Sequence, residues 1–322
     1  MKTKPIPGTE LVPSVICLGT SKYGDTIDKR TAYEIMDRFS AAGGTFLDTA
    51  KVYGEWVPGK RSLSEEIIGD WLADRKNRHD IVLATKGGHP DLDTMDVSKL
   101  SREDIAYDVE ASLRHLKTDY IDLYWLHRDD PARPVEELVD TLNELVRQGK
   151  IRYFGCSNWR SDRIDAAQEY AAKHGLQAFA ANQNKWSLAV YPQPKDPSMV
   201  AMDRDEYAYH HRTGLTAVPY NAQAGGFFSG KYTADMLRAS AEQTNKAGEL
   251  RTAQNIARLE KAAGLGRRLG LSLTQVSLGY LLSRPFPVFP ICGCSNPAQA
   301  ADSCSAGDVV LPGELVRELA LI

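Results

Sequence analysis

Four polar side chains, each placed where an apolar run ends, hold the chemistry latent in this chain: Asp48 and Tyr53 in Phe46-Leu47-Asp48-Thr49-Ala50-Lys51-Val52-Tyr53-Gly54, Lys86 in Ala84-Thr85-Lys86-Gly87-Gly88, and His127 in Trp125-Leu126-His127. Asp48 and Lys86 are 38 residues apart, Lys86 and His127 41. Each interval is one strand plus a crossover helix, so successive parallel strands would deliver all of them to one sheet edge. A free phenol, with a pKa near ~10, is a poor proton donor at neutrality, and an ammonium set against it stabilises the phenolate. Tyr53 is therefore a candidate general acid. Asp48 would pair with Lys86 and aim it at the phenol, while His127 could hydrogen-bond and orient a carbonyl oxygen. The set lacks an electron source.

The elements that must position these groups follow from the alternation of pattern along the chain. Runs rich in branched residues occur at Val15–Leu18, Thr45–Asp48, Ile81–Thr85, Tyr120–Leu126, Tyr153–Ser157, Ala178–Asn182, Leu215–Pro219 and Val288–Ile291. Between them lie stretches with apolar residues at three-to-four spacing: Lys29–Ala42, Leu63–Arg75, Arg102–Leu116, Val135–Gln148 and Ser161–His174. Gly149 is a plausible helix stop. Eight such alternations are the arithmetic of an α/β fold of the (β/α)8 type, a TIM barrel, whose active site sits at the carboxyl ends of the strands. Such barrels run to about 250 residues or more as one unit, so the 322 residues are expected to form a single domain, 1–322. Two stretches break the pattern: Ser187–Pro197, with three prolines, and the polar Gly225–Arg251, too long for an ordinary βα connection. As extended loops at the catalytic end they are candidate lids.

Charge and composition narrow the partners. A net charge of −3 with evenly mixed signs offers no basic stripe for nucleic acid or an anionic membrane, and a small-molecule partner is expected. No run of eighteen apolar residues is present, and Pro5, Gly8, Glu10 and Pro13 interrupt what would be a signal peptide. Five cysteines suit a reducing cytoplasm. The Cys292-Gly293-Cys294 pair with Cys304 lacks a nearby fourth ligand, so no metal site is expected. Gly225-Gly226-Phe227-Phe228-Ser229-Gly230-Lys231 has the spacing of a phosphate-binding loop, but Tyr232 stands where a hydroxyl should reach magnesium. Gly264-Leu265-Gly266 lies in a helical stretch and misses the dinucleotide fingerprint. Any dinucleotide would have to be held by barrel loops.

Asp48-x4-Tyr53-Gly54, Thr85-Lys86, Leu126-His127, Gly155-x-Ser157-Asn158 and Gln183-x2-Trp186, in this order and spacing, resemble the aldo-keto reductases over roughly residues 19–303. The resemblance implies a TIM barrel that binds NADP(H), or less often NAD(H), in extended form without a Rossmann domain. It implies that Tyr53 is the proton donor, tuned by Lys86 and Asp48, with His127 orienting the carbonyl, the same geometry run backwards oxidising an alcohol. Gly19, Thr20 and Ser21 would border the cofactor. Ser157, Asn158 and Gln183 would hold the nicotinamide carboxamide and Trp186 would stack on the ring. Tyr220-Asn221-Ala222-Gln223, then Gly226 and Lys231, stand in the place of the pyrophosphate loop. Gly293, Gln299 and Asp302 match the adenosine end. Where many members carry an arginine for the 2′-phosphate this chain has Ser295, and Ser303 replaces an asparagine. A serine offers no charge for bidentate pairing, so a weakened or reversed preference for NADP over NAD is expected unless Lys231 compensates.

The pocket walls are expected from Ser21, Lys22 and Tyr23, from Glu55 and Trp56, from His89, and from Arg128, Asp129 and Asp130. That lining suits a hydroxyl-rich or anionic carbonyl compound, such as an aldose or sugar derivative. Two other readings stay open: a regulatory module that keeps the nucleotide as a ligand, as the potassium-channel β-subunit relatives do, and a lyase using Lys86 as a Schiff-base amine. Oligomeric state and substrate are open.

Overall fold

The structure, a computed structural model, describes residues 1–192, 196–239 and 248–320. Eight parallel strands make one sheet: β1 (Cys17–Gly19), β2 (Phe46–Asp48), β3 (Val82–Gly87), β4 (Ile121–Leu126), β5 (Ile151–Ser157), β6 (Ala181–Gln183), β7 (Thr216–Ala217) and β8 (Ile291–Gly293), in the order β7-β6-β5-β4-β3-β2-β1-β8. The two ends of that order meet. Ala217 N–H donates to Pro287 O at 2.9 Å, and Ala217 O and Pro219 O accept from Phe289 and Ile291, each at 2.9 Å. The sheet is thus closed into the expected (β/α)8 barrel, which removes its edges.

Helices α1 (Lys29–Ala41), α2 (Leu63–Arg75), α3 (Arg102–Leu116), α4 (Val135–Arg147) and α5 (Ser161–His174) follow the first five strands, within one residue of the bounds set by periodicity. Polar caps fix two of the starts: Asp28 accepts from Thr31 N and Ser101 from Asp104 N. After β6 comes α6 (Arg204–Thr213), capped by Asp203. The β7–β8 connection carries α7 (Ala234–Ala239), α8 (Ala253–Leu269) and α9 (Leu273–Leu282), the last with a Ser272/Gln275 capping box. Gly264-Leu265-Gly266 lies inside α8, as a stretch without the dinucleotide fingerprint should. The chain continues through α10 (Pro297–Ser305) and α11 (Gly313–Ala320).

The last three strands differ from expectation. The apolar run Val288–Ile291 contributes only its final residue to β8, because Pro287 and Pro290 have no N–H to donate to a ladder. Val288 makes only an isolated bridge to Ala217. β1 and β6 likewise start later than their apolar runs, and Gly19, Asp48, Gln183 and Gly293 become the last residues of their strands. Every one of them therefore opens onto the same end of the barrel.

The interior of the barrel is filled by Cys17, Phe46, Ala84, Leu123, Trp125, Ala181, Val218, Phe289 and Ile291. Ile6 and Leu11 join this cluster from an N-terminal hairpin in which Lys4 and Ile6 donate to Pro13 and Leu11. Gly155 in β5 makes room for the Trp125 indole: a Cβ there would stand 2.6 Å from the ring and 2.5 Å from Ala181 O. Helices cover the outer face through two larger apolar clusters. All five cysteines are buried and free. Among the described residues no helix is long and apolar enough to cross a membrane, and no group of three or more His, Cys, Asp or Glu could hold a metal ion.

Candidate active site

The carboxyl ends of the strands surround a cleft of about 1360 Å³, larger than the pockets that take drug-sized ligands. At its floor lies a chain of bonds across three strand ends and the loop after β2. Gln183 Nε2 donates to Asp48 Oδ1 at 3.0 Å, Lys86 Nζ donates to Asp48 Oδ2 at 2.5 Å and to Thr49 O at 2.7 Å, and the same Nζ donates to Tyr53 OH at 3.2 Å. Asp48 and Lys86 are 2 % and 1 % exposed. Burial alone would lower the Lys86 pKa, but the Asp48 charge and Tyr53 outweigh it, and Lys86 sits above the ordinary lysine value. The ammonium is thus held charged beneath the phenol.

His127 follows β4 directly, with its N–H donating to Gly87 O. Its ring meets Tyr53 edge-on at 5.9 Å between centroids and His89 at 4.8 Å. Burial, then Lys86, His89 and Arg128, press its pKa well below the ordinary histidine value. The imidazole is therefore neutral at physiological pH and keeps one N–H to donate. Asn158 Nδ2 (3.5 Å) and Arg128 NH1 (3.1 Å) both donate to His127 O, which fixes the backbone.

Around this floor the structure assembles most, but not all, of the groups expected to hold a dinucleotide. Gly19, Thr20 and Ser21, then Ser157, Asn158 and Gln183, and on the opposite side Tyr220, Asn221, Ala222, Gln223, Gly226 and Lys231, all line the cleft. So do Gly293, Ser295, Gln299 and Asp302 at its far end. Asn158 takes a left-handed conformation and spends its side chain inside the protein: Oδ1 accepts from Val200 N and Tyr220 OH, and Nδ2 donates to Ser157 Oγ and His127 O. Asn221, Ala224, Gly225 and Gly226 all have positive φ, and Asn221 Oδ1 accepts from Gly225 N. Residues alternating into such conformations turn backbone N–H groups toward an anion.

Several expected residues lie outside the cleft lining. Trp186 is buried against Phe286, stacked at 6.0 Å, and Tyr207, beneath Arg284; it does not reach the cleft, since the loop after β6 turns its indole into the shell of helices. Tyr220 does line the cleft, with Tyr53 and Tyr191, and its hydroxyl is tied to Asn158 at 2.8 Å. Tyr23 is wholly buried in the outer core and is no pocket wall. Ser303 is buried behind the cleft, where Gln223 Nε2 donates to its hydroxyl at 3.3 Å. Of the remaining walls, Ser21, Lys22 and Arg128 line the cleft, whereas Glu55, Trp56, His89, Asp129 and Asp130 are not part of that lining. His89 stands beside His127, and the exposed Trp56 ring lies 6.2 Å from Tyr53, with Nε1 donating to Asp25.

Residues not anticipated also line the cleft, among them Lys185, Tyr191, Met199, Glu249, Leu250 and Thr274. Lys185 had a signal: it lies two positions beyond Gln183, the strand period that returns a side chain to the same face. Both long loops contribute lining, although 193–195 and 240–247, which belong to the candidate lids, lie outside the described residues.

Gly293 tests whether the cleft fits a dinucleotide. Its φ is not positive, and a Cβ built on it would meet nothing within 4 Å. Nothing in the protein itself requires glycine there, whereas a ligand pressed against the backbone would. We expect Gly293→Val to weaken dinucleotide binding about tenfold or more while Tm stays within about 2 °C, the former being the scale of one lost close contact; unchanged affinity by calorimetry would remove this support.

The profile of the Aldo/keto reductase family matches residues 15–321. The chain is similar to an uncharacterized oxidoreductase, YrpG, of Bacillus subtilis, 34% identical over 97% of this chain and 92% of the relative. It is also similar to norsolorinic acid reductase stcV of Emericella nidulans, 31% identical over 98% of this chain and 79% of the relative. A putative aryl-alcohol dehydrogenase of Saccharomyces cerevisiae is 29% identical over 95% and 82%.

Proposed function

Because the chain belongs to the aldo/keto reductase family, we propose that it is an NAD(P)(H)-dependent oxidoreductase that interconverts an aldehyde or ketone and the corresponding alcohol, with Tyr53 as the proton donor. The observation that carries this reading is the Lys86 ammonium, locked by Asp48 and Thr49 O and donating to the Tyr53 hydroxyl. A nicotinamide dinucleotide in the cleft would supply the hydride that the side chains lack.

The residues perform the rest. Neutral His127 donates its N–H to the carbonyl oxygen and orients it beside the phenol. Tyr53 gives its proton to that oxygen as negative charge builds there, and Lys86 stabilises the phenolate left behind. Gln183 holds the second oxygen of Asp48, which keeps the carboxylate, and through it Lys86, in register. In the oxidative direction the phenolate takes the proton back. Tyr220, pinned by Asn158, offers the flat face against which a nicotinamide ring could rest. The carbonyl compound is proposed to be polar, hydroxyl-rich or anionic, since Lys22, Arg128 and Lys185 line the same cleft.

At the adenosine end, Ser295 is exposed, and its N–H donates to Gln299 Oε1 at 2.8 Å. Ser295 carries no charge for a 2′-phosphate, and Lys231 is the basic side chain contributed by the loop after β7. Titration of the purified protein with NADPH and NADH, read by quenching of tryptophan fluorescence, tests the proposal. Comparable affinity for the two is expected. A strong NADPH preference abolished by Lys231→Ala would show that Lys231 compensates, and the same preference without a responsible basic residue would sink the Ser295 argument. Binding of neither nucleotide would overturn the function itself.

A further inference from the structure

The walls of the substrate end are mixed in sign along the sequence, but the fold sorts them. Glu55 is taken by Lys51 at 3.5 Å, and Asp129 by the Arg163 guanidinium through two bonds of 2.9 and 3.1 Å. Asp130 Oδ1 caps Ala132 N, and Asp25 accepts from Trp56. Asp196 accepts from Ser198 N and Oγ; its charge feels Arg128 and His89, but it forms an ion pair with neither.

The cations are left over. Arg128, next to His127 and lining the cleft, has NH1 on the backbone oxygen of His127 at 3.1 Å, a buried Nε without an acceptor, and no ion pair with a described carboxylate. Its backbone is fixed, since Trp159 Nε1 donates to Arg128 O at 3.1 Å. Lys185 also lines the cleft without an ion pair among the described residues, its Nζ 4.5 Å above the Tyr191 ring. A guanidinium partly withdrawn from water and lacking an ion-pair partner among the described residues is costly, and a ligand oxyanion is the partner whose geometry suits it.

Deepening the reductase reading, on which it rests, we propose that the substrate is a carbonyl compound bearing a carboxylate or phosphate, bound by Arg128 with Lys185 adding charge while the carbonyl lies at Tyr53 and His127. Arg128 is then a specificity residue: it selects which carbonyl compound enters and sets the distance between its anionic group and its reacting carbon.

The test compares kcat/KM within two pairs, 4-formylbenzoate against its methyl ester, and glyceraldehyde 3-phosphate against glyceraldehyde. The wild type should favour the anionic member of at least one pair by about tenfold or more, the scale of one charge-assisted bond. The pair that responds distinguishes carboxylate from phosphate. Arg128→Gln should bring that ratio near unity, Arg128→Lys should restore part of it, Lys185→Gln should lower it less, and added salt should raise KM for the anionic member in the wild type but not in Arg128→Gln. An equal ratio in wild type and Arg128→Gln, or a wild-type preference for the neutral members, overturns the proposal. If no aldehyde is turned over, calorimetry with benzoate and with inorganic phosphate decides: binding lost in Arg128→Gln upholds the anion site and faults the reductase reading, and binding absent from the wild type or unchanged in Arg128→Gln overturns the site.

Discussion

Replacing Tyr53 by Phe is expected to lower kcat by about 10²- to 10⁴-fold, the range for loss of a positioned general acid, while dinucleotide affinity stays within about twofold. The change removes one oxygen and keeps the ring, which packs edge-on against His127 and beside Trp56. Lys86 loses a single partner but retains Asp48 and Thr49 O, so its charge remains paired and the fold should melt within about 2 °C of the wild type, the shift expected from under 1 kcal/mol. Equal falls in kcat and kcat/KM would mark an interaction made only in the transition state. Because His127 is already neutral well below pH 6.5, its titration should add no acid limb to the wild-type rate between pH 6 and 8. Turnover in Tyr53→Phe within tenfold of the wild type would remove Tyr53 from its role.

The second large effect is on stability. Lys86→Met leaves Asp48 buried without a cation, with the Gln183 amide as a neutral side-chain donor. Removing one partner of a buried ion pair costs roughly 3–5 kcal/mol, a fall in Tm on the order of 10 °C. The sign of the pH dependence follows. Burial already raises the Asp48 pKa in the wild type against the pull of Lys86 and Gln183, and losing the ammonium raises it further, so this contribution to stability is fully present below the unfolded pKa of about 4 and is lost as pH rises toward the folded one. The deficit relative to wild type should therefore be larger at pH 8 than at pH 5. The double change Asp48→Asn, Lys86→Met removes both charges and should recover much of the stability with none of the activity, a non-additive outcome that independent sites would not give. A single variant melting at the wild-type temperature across this pH range would show that the pair is not under the strain its burial implies.

The first five helices could be read in the sequence because their apolar spacing and polar caps are local properties: Asp28 and Ser101 accept from backbone groups three residues away. The tetrad was legible for a related reason. A parallel barrel must place the end of every strand on one face, so Asp48, Lys86 and His127 needed only to follow their apolar runs to meet. The weakly marked end of the barrel was harder. β6, β7 and β8 have three, two and three residues, and their extent is set by which neighbouring N–H and C=O groups are available, with two prolines withholding donors before β8.

What the sequence by itself determined is therefore the order of the strands and the first five helices, and that Asp48, Tyr53, Lys86 and His127 would meet at one end of the barrel. Tertiary structure alone decided which aromatic faces the cleft: Trp186 and Tyr220 both leave strand ends, yet the first is drawn into an apolar cluster with Phe286 while the second is held by Asn158, 62 residues away. It also decided the charge of this cleft wall. Asp129 and Arg128 are neighbours along the chain, but Arg163, on a helix 34 residues on, neutralises the first and leaves the second turned to the cleft. Ion pairs form between groups that folding brings within a few ångströms, and that proximity is not written in either residue's own neighbourhood.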